Sequence, residues 1–330
     1  MTSWQTLAHT DPVPWLLEEG APWVRYRTLI DLLDRPAGDP DVIAARQAML
    51  VHPLVQDTIT AAASWPGYAL KRHNDAKHPL HALSLLADWG LRADDPGMGA
   101  VVEAVLAHQS EDGAFQTQML MPERFGGTGE PGMVWMLCDA PLLVYVLARF
   151  GLADHPQVAR AVEHLQSYCR DYGWPCAASI SEKFRGPGRA TDPCPYANLL
   201  ALRALAEFPA LADDATLAAG AEALLGHWER QREPKLFMFG IGTDFRKLKY
   251  PFIWYDVLHM TETLSRVPAA RRDPRLREMA DVVLSKQDEA GRFKAESVWM
   301  AWKTWDFGQK RAPSPTLTLA AWRILRRVYA

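Results

Sequence analysis

The chain has 330 residues, 48% of them hydrophobic, with 36 basic and 39 acidic side chains and a formal net charge of −3. That is enough apolar material for a large core, and it leaves no basic field that would gather nucleic acid or an anionic membrane. Four cysteines (Cys138, Cys169, Cys176, Cys194) are too few for a disulfide scaffold. No apolar run reaches the length of a membrane span, and the N-terminus lacks a charged start ahead of an apolar block. A soluble, cytoplasmic protein with reduced thiols is expected.

Taken in order, residues 11–20 read as a short capped helix stopped by Gly20, and 23–33 carry apolar residues at helical spacing. Residues 39–50 and 53–63 are two more helices, broken at His52-Pro53, and Ser64-Trp65-Pro66-Gly67 is a turn. From there the chain repeats itself. An apolar helix (78–90) is followed by a more polar one (97–108) and by a turn, Gln109-Ser-Glu-Asp-Gly-Ala-Phe115. The pattern returns as 138–151, 156–169 and a turn from Gln166 to Trp174, then as 195–208 and 214–230 with a degenerate turn. It returns again as 255–267, 273–285 and Gln287-Asp-Glu-Ala-Gly-Arg-Phe293, and a last helix, 314–328, closes the chain. Each unit is a helical hairpin that cannot bury both faces alone, so neighbours must stack. Almost no strand-type alternation appears. The expectation is all-α: one domain over 1–330, an (α/α)6 toroid in which 1–64 complete the ring begun by the hairpins of 65–330. Apolar first helices would form its inner layer around an apolar, aromatic-lined cavity.

Two connections, 116–133 and 175–192, are long for a helical array, and long loops on one face of such an array tend to build its site. The second holds the stretch Phe184–Tyr196, F-R-G-P-G-R-A-T-D-P-C-P-Y. Asp192 and Cys194, two residues apart at a helix start, suit a borderline divalent metal, and His259 is the candidate third ligand from the next repeat. Arg185 and Arg189 in the Gly/Pro-rich loop suit a phosphate-bearing ligand. Cys138 and Asp139 occupy the corresponding place one repeat earlier, where Cys138 could supply a further ligand. Asp256, one turn before His259, could orient its imidazole. Trp135 and Trp254 fall near the expected cavity mouth, where aromatics can stabilise a cation or shape an apolar pocket. Cys169 and Cys176 show no ligand spacing and read as structural.

The turn Gln109-x-x-Asp112-Gly113-x-Phe115 resembles the QW-type repeat of the terpenoid cyclase and protein prenyltransferase superfamily, and Gln287-x-x-x-Gly291-x-Phe293 is a weaker copy. The likeness covers roughly residues 65–293 and implies that superfamily's α/α toroid. The acid motif of its class II cyclases is absent. Arg189-x-x-Asp192-x-Cys194, with His259-Met260-Thr261 on the next repeat's first helix, is similar to the zinc pattern of the prenyltransferase β-subunits. That resemblance implies zinc on Asp192, Cys194 and His259, a diphosphate on Arg185 and Arg189, and an isoprenoid or related lipid substrate, with Tyr196 and Tyr255 among the residues around it. Nothing in the chain indicates the second subunit that those enzymes use. Pro195 parts Cys194 from Tyr196 and Leu258 precedes His259, where the family places aromatics.

Each residue also has a plainer reading: Asp192 as a helix cap, Cys194 as a small buried hydrophobe, His259 as a hydrogen-bonded core histidine, the arginines as solvated loop charges. The alternatives to a zinc-dependent transferase or cyclase are a non-catalytic toroid that binds a lipid or protein, and a class II-type cyclase whose acid is Asp139, Asp192 or Asp256.

Overall fold

A computed structural model describes residues 3–180, 184, 191–233 and 240–330. The described residues are mostly helical. The helices are α1 (Val13–Glu19), α2 (Pro22–Asp31), α3 (Pro40–Leu50), α4 (Pro53–Ala63), α5 (Pro79–Trp89), α6 (Met98–Leu106), α7 (Ala140–Leu147), α8 (Pro156–Tyr168), α9 (Pro195–Leu205), α10 (Ala215–Glu229), α11 (Val257–Leu264), α12 (Pro274–Leu284) and α13 (Pro315–Tyr329). None is long and apolar enough to cross a membrane.

Most starts share one local device. Asp39, His52, His78, His155, Asp273 and Ser314 each precede a proline, and each side chain accepts a hydrogen bond from a backbone N–H of the first turn. The cap satisfies an orphan donor, and the proline presets φ where no N–H is needed. Cys194-Pro195 follows the same pattern with sulfur as acceptor, from the Ala197 N–H at 3.5 Å.

In α5, α7, α9 and α11 every residue is buried, whereas α8 and α12 bury one stripe. The inner helices touch in a cycle: α2 meets α5, α5 meets α7, α7 meets α9, α9 meets α11, α11 meets α13, and α13 returns to α2. The turn glutamines tie successive units. Gln109 donates to the Gly113 carbonyl and to that of Gln157 at the start of α8, both at 2.7 Å. Gln166 donates to Asp214, the cap of α10. Gln287 donates to the Leu7 carbonyl and accepts from the His9 N–H, so the last turn grips the beginning of the chain. Gly291 has φ +70°, and a β-carbon there would lie 2.2 Å from the Thr10 carbonyl oxygen. One contiguous apolar core runs from Trp4 to Val328.

Two features depart from expectation. The connection 116–133 contains an antiparallel hairpin, β1 (Thr117–Leu120) with β2 (Pro131–Val134), too short for alternation to show in sequence. The interior of the helix cycle carries ion pairs where an apolar space was expected. Arg203 on α9 reaches past α7 to Asp88 on α5 at 2.6 Å, and Glu262 on α11 pairs with Arg266 and with Arg327 of α13. Asp31 pairs with Arg27 and Arg323. Arg203, Asp88 and Glu262 sit on helices buried all round, where an unpaired charge would be costly.

Candidate metal centre

The caps of α7 and α9 hold the site. Residues 174–179 run between two neighbours. On one side the Leu137 N–H donates to the Ala177 carbonyl (3.1 Å) and the Ser179 N–H to the Trp135 carbonyl (3.0 Å); on the other the Cys194 N–H donates to the Trp174 carbonyl (2.9 Å). These bonds put Cys138, Cys176 and Cys194 side by side. Their sulfurs all lie within 4.8 Å of one another. Cys138 and Cys194 are buried and Cys176 is half-buried. None of the four cysteines is in a disulfide.

Hydrogen bonds from the Cys138 and Cys176 thiols hold Cys194 well below the ordinary thiol range, against the opposing effect of burial. Its place at the start of α9 favours the thiolate further. Cys138 is pushed up by its contacts with Cys176 and Cys194 and by burial. For Cys176 the contact with Cys138 acts downward, but Cys194 and burial outweigh it and push the thiol up. Three sulfurs so placed are a donor set that can hold a soft metal ion, whose binding would displace the thiol protons.

Beside it stands an acid–imidazole pair. His73 Nδ1 lies 3.0 Å from both carboxylate oxygens of Asp139, the residue after Cys138. Burial works against charge on His73, and Asp139 and then Cys194 outweigh it, raising the imidazole's pKa. The carbonyl of His73 accepts from His81 Nε2 at 3.1 Å.

Of the expected ligands, the structure brings Cys138 and Cys194 together and adds Cys176. Among the described residues, neither Asp192 nor His259 joins the thiol group. Asp192 is half-buried two residues before the cap. His259 is buried in α11 with Nδ1 3.0 Å from the Trp254 carbonyl and its ring stacked on Phe252 at 5.1 Å. Burial and nearby Arg203 depress its pKa to about 3. Asp256 caps α11 by accepting from the His259 backbone N–H at 2.9 Å, and burial raises its carboxyl to about 7. Tyr196 donates to the Ile253 carbonyl (2.7 Å) and packs on Trp254, with ring centroids 4.4 Å apart. The Tyr255 hydroxyl donates to the Gly240 carbonyl. Trp135 faces away from this group, its indole N–H on Asp112 at 2.8 Å and its ring edge-on to His164. Arg185 and Arg189 lie outside the described residues. Cys176 reads as structural from its spacing, and His73 reads as part of a polar cluster with His78 and His81; the structure places Cys176 with the other two sulfurs and His73 on Asp139. The partners of both are distant in sequence, and the signal that pointed to this end of the helices was Asp192-x-Cys194 together with Cys138-Asp139 one repeat earlier.

No protein-family model matches the chain, and neither does any curated protein. A solved structure described as that of a protein from Actinoplanes is similar at 17% identity, over 94% of this chain and 90% of that one, with a TM-score of 0.42. A likeness of that depth assigns neither fold nor function.

Proposed function

We propose that the protein is a zinc-dependent enzyme built as an α/α toroid, in which Cys138, Cys176 and Cys194 hold the ion and leave its fourth position for a substrate thiol or a water. The observation that carries this is the convergence of three sulfurs from three separate segments within 4.8 Å. Zinc–sulfur bonds of about 2.3 Å in a tetrahedral site ask for sulfurs a little closer than that, so a small contraction suffices. Soft thiolates select zinc or another soft ion over magnesium or calcium. When bound, zinc lowers the pKa of the group at its open position. His73, oriented by Asp139 through Nδ1, is the nearby base that would take the released proton. The toroid is supported by the cyclic contacts of the inner helices and by the grip of Gln287 on the N-terminal segment.

The likeness to the prenyltransferase β-subunits reaches this centre through Cys194. An isoprenoid, as that resemblance implies, would have to lie at the cap end against Tyr196, Trp254 and Tyr255, because the ring interior is charged.

Elemental analysis and titration against a chromophoric chelator test the proposal. Wild type should carry one zinc per chain. Cys138→Ser, Cys176→Ser and Cys194→Ser should each lose it or bind it at least tenfold more weakly, with helical content kept. Asp192→Ala and His259→Ala should retain it. Wild type without zinc after loading, or undiminished zinc in Cys176→Ser, would refute the assignment.

A further inference from the structure

Among the described residues, the segment that carries His73 also carries charges that no acid pairs with. Lys71, Arg72, Asn74, Asp75, Ala76 and Lys77, with Met300 and Ala301 opposite, line a cavity of about 370 Å³. Lys71, Arg72 and Lys77 are exposed, and among the described residues their side chains make no ion pair or hydrogen bond. The acid in the cavity is already engaged: Asp75 accepts from the Tyr68 hydroxyl at 2.9 Å and from the Lys77 backbone N–H at 3.2 Å. A second basic cavity of about 400 Å³ forms a contrast. Arg323, Arg326 and Arg327 there pair with Asp31, Asp34 and Glu262, and Arg271 donates to the Ser265 carbonyl. An incoming anion must compete with those acids, whereas at 71–77 the one carboxylate, Asp75, is held by a hydroxyl and a backbone N–H and forms no ion pair with Lys71, Arg72 or Lys77 among the described residues.

The loop is also held in place before any ligand arrives. His73 is tied to Asp139, the His73 carbonyl to His81 at 3.1 Å, and the Ala76 carbonyl to the Trp302 indole N–H at 3.0 Å. These three ties to other parts of the fold leave the three cationic tips over a fixed backbone, the preorganisation that lowers the cost of binding. Three cations against one engaged carboxylate make a net charge of +2, which a dianion matches and a monoanion does not.

We infer that residues 71–77, closed by 300–301, bind a dianionic phosphate-type group. The site stands on the loop itself and needs no metal, so it survives or fails apart from the zinc centre. Inorganic phosphate titrated calorimetrically at low ionic strength is the probe, with acetate as the monoanion. Phosphate should bind saturably and weaken with salt. K71Q/R72Q/K77Q should weaken it by roughly tenfold or more, and Lys77→Gln alone in the same direction by less. Arg326→Gln, in the other basic cavity, and Cys176→Ser, in the metal centre, should bind as wild type does. The inference is overturned by any of three results: no saturable binding by wild type, acetate binding as tightly as phosphate, or an unchanged affinity in the triple variant. Loss of binding in Arg326→Gln would move the site to the other cavity and overturn it equally.

Discussion

The charge pair inside the helix cycle offers the sharpest test of how this fold is held. Arg203 is 1% exposed and Asp88 6%. The guanidinium sits 2.6 Å from Asp88, which also accepts from the Tyr145 hydroxyl at 2.5 Å, and it lies 4.1 Å over the Tyr145 ring. In Arg203→Met the carboxylate stays behind, buried, with a single neutral donor. Stranding one partner of a buried pair costs about 3–5 kcal/mol, and the lost cation–π contact adds about 1 kcal/mol. Against a total stability of about 5–15 kcal/mol for a folded domain, that is roughly a quarter or more. The triple variant R203M/D88L/Y145F removes every charge and polar group of the cluster together. Burying apolar side chains of similar volume is often neutral or stabilising relative to a buried ion pair, so it should recover to within about 2 kcal/mol of wild type. Urea unfolding at pH 7, followed by circular dichroism, reads both. A loss under about 1 kcal/mol in Arg203→Met, or a triple variant no better than the single, would show that the pair does not work as a buried unit.

Three further outcomes follow from other parts of the structure. The raised carboxyl of Asp256 means that the folded state binds its proton more tightly than the unfolded one, so this group's contribution is full below about pH 4 and is lost as pH rises towards 7. Asp256→Asn keeps the cap and removes the charge; its melting temperature should exceed wild type's at pH 8 and the gap should close towards pH 4.5, with about three decades of proton affinity limiting the effect to ~4 kcal/mol, whereas a gap independent of pH would reject the burial argument. Gly291→Ala should destabilise by about 2 kcal/mol or more and expose residues 3–10 to limited proteolysis, because it must both hold φ +70° and clear the Thr10 carbonyl; Gly99→Ala, with open space around it in α6, should be neutral or mildly stabilising. Cys169→Ser should leave metal binding unchanged, since that sulfur hydrogen-bonds to the Arg170 and Thr216 carbonyls and is not among the three that converge, and loss of metal there would point to a different thiol set.

Much of the architecture is local and therefore legible in residues alone. Helix starts are written as a polar cap followed by proline, and the all-buried inner helices as apolar runs. Turn glutamines mark the joints, and each acts through bonds to its own turn or to the next unit, as Gln109 does at Gly113 and Gln157. Periodicity and capping depend on neighbours within a few residues, which is why these features survive without coordinates. The candidate site is different. Cys138 and Cys194 were visible because each sits at the start of an inner helix, but Cys176 belongs to a stretch whose position is decided by backbone bonds to Leu137 on one side and Cys194 on the other. His73 meets Asp139 across 66 residues of sequence, and Arg203 meets Asp88 across 115. The sequence by itself determined the helices, their caps and the order of the repeats. The tertiary structure alone decided which polar groups share a low-dielectric interior, because burial and partnership are properties of the space between helices and not of any one of them.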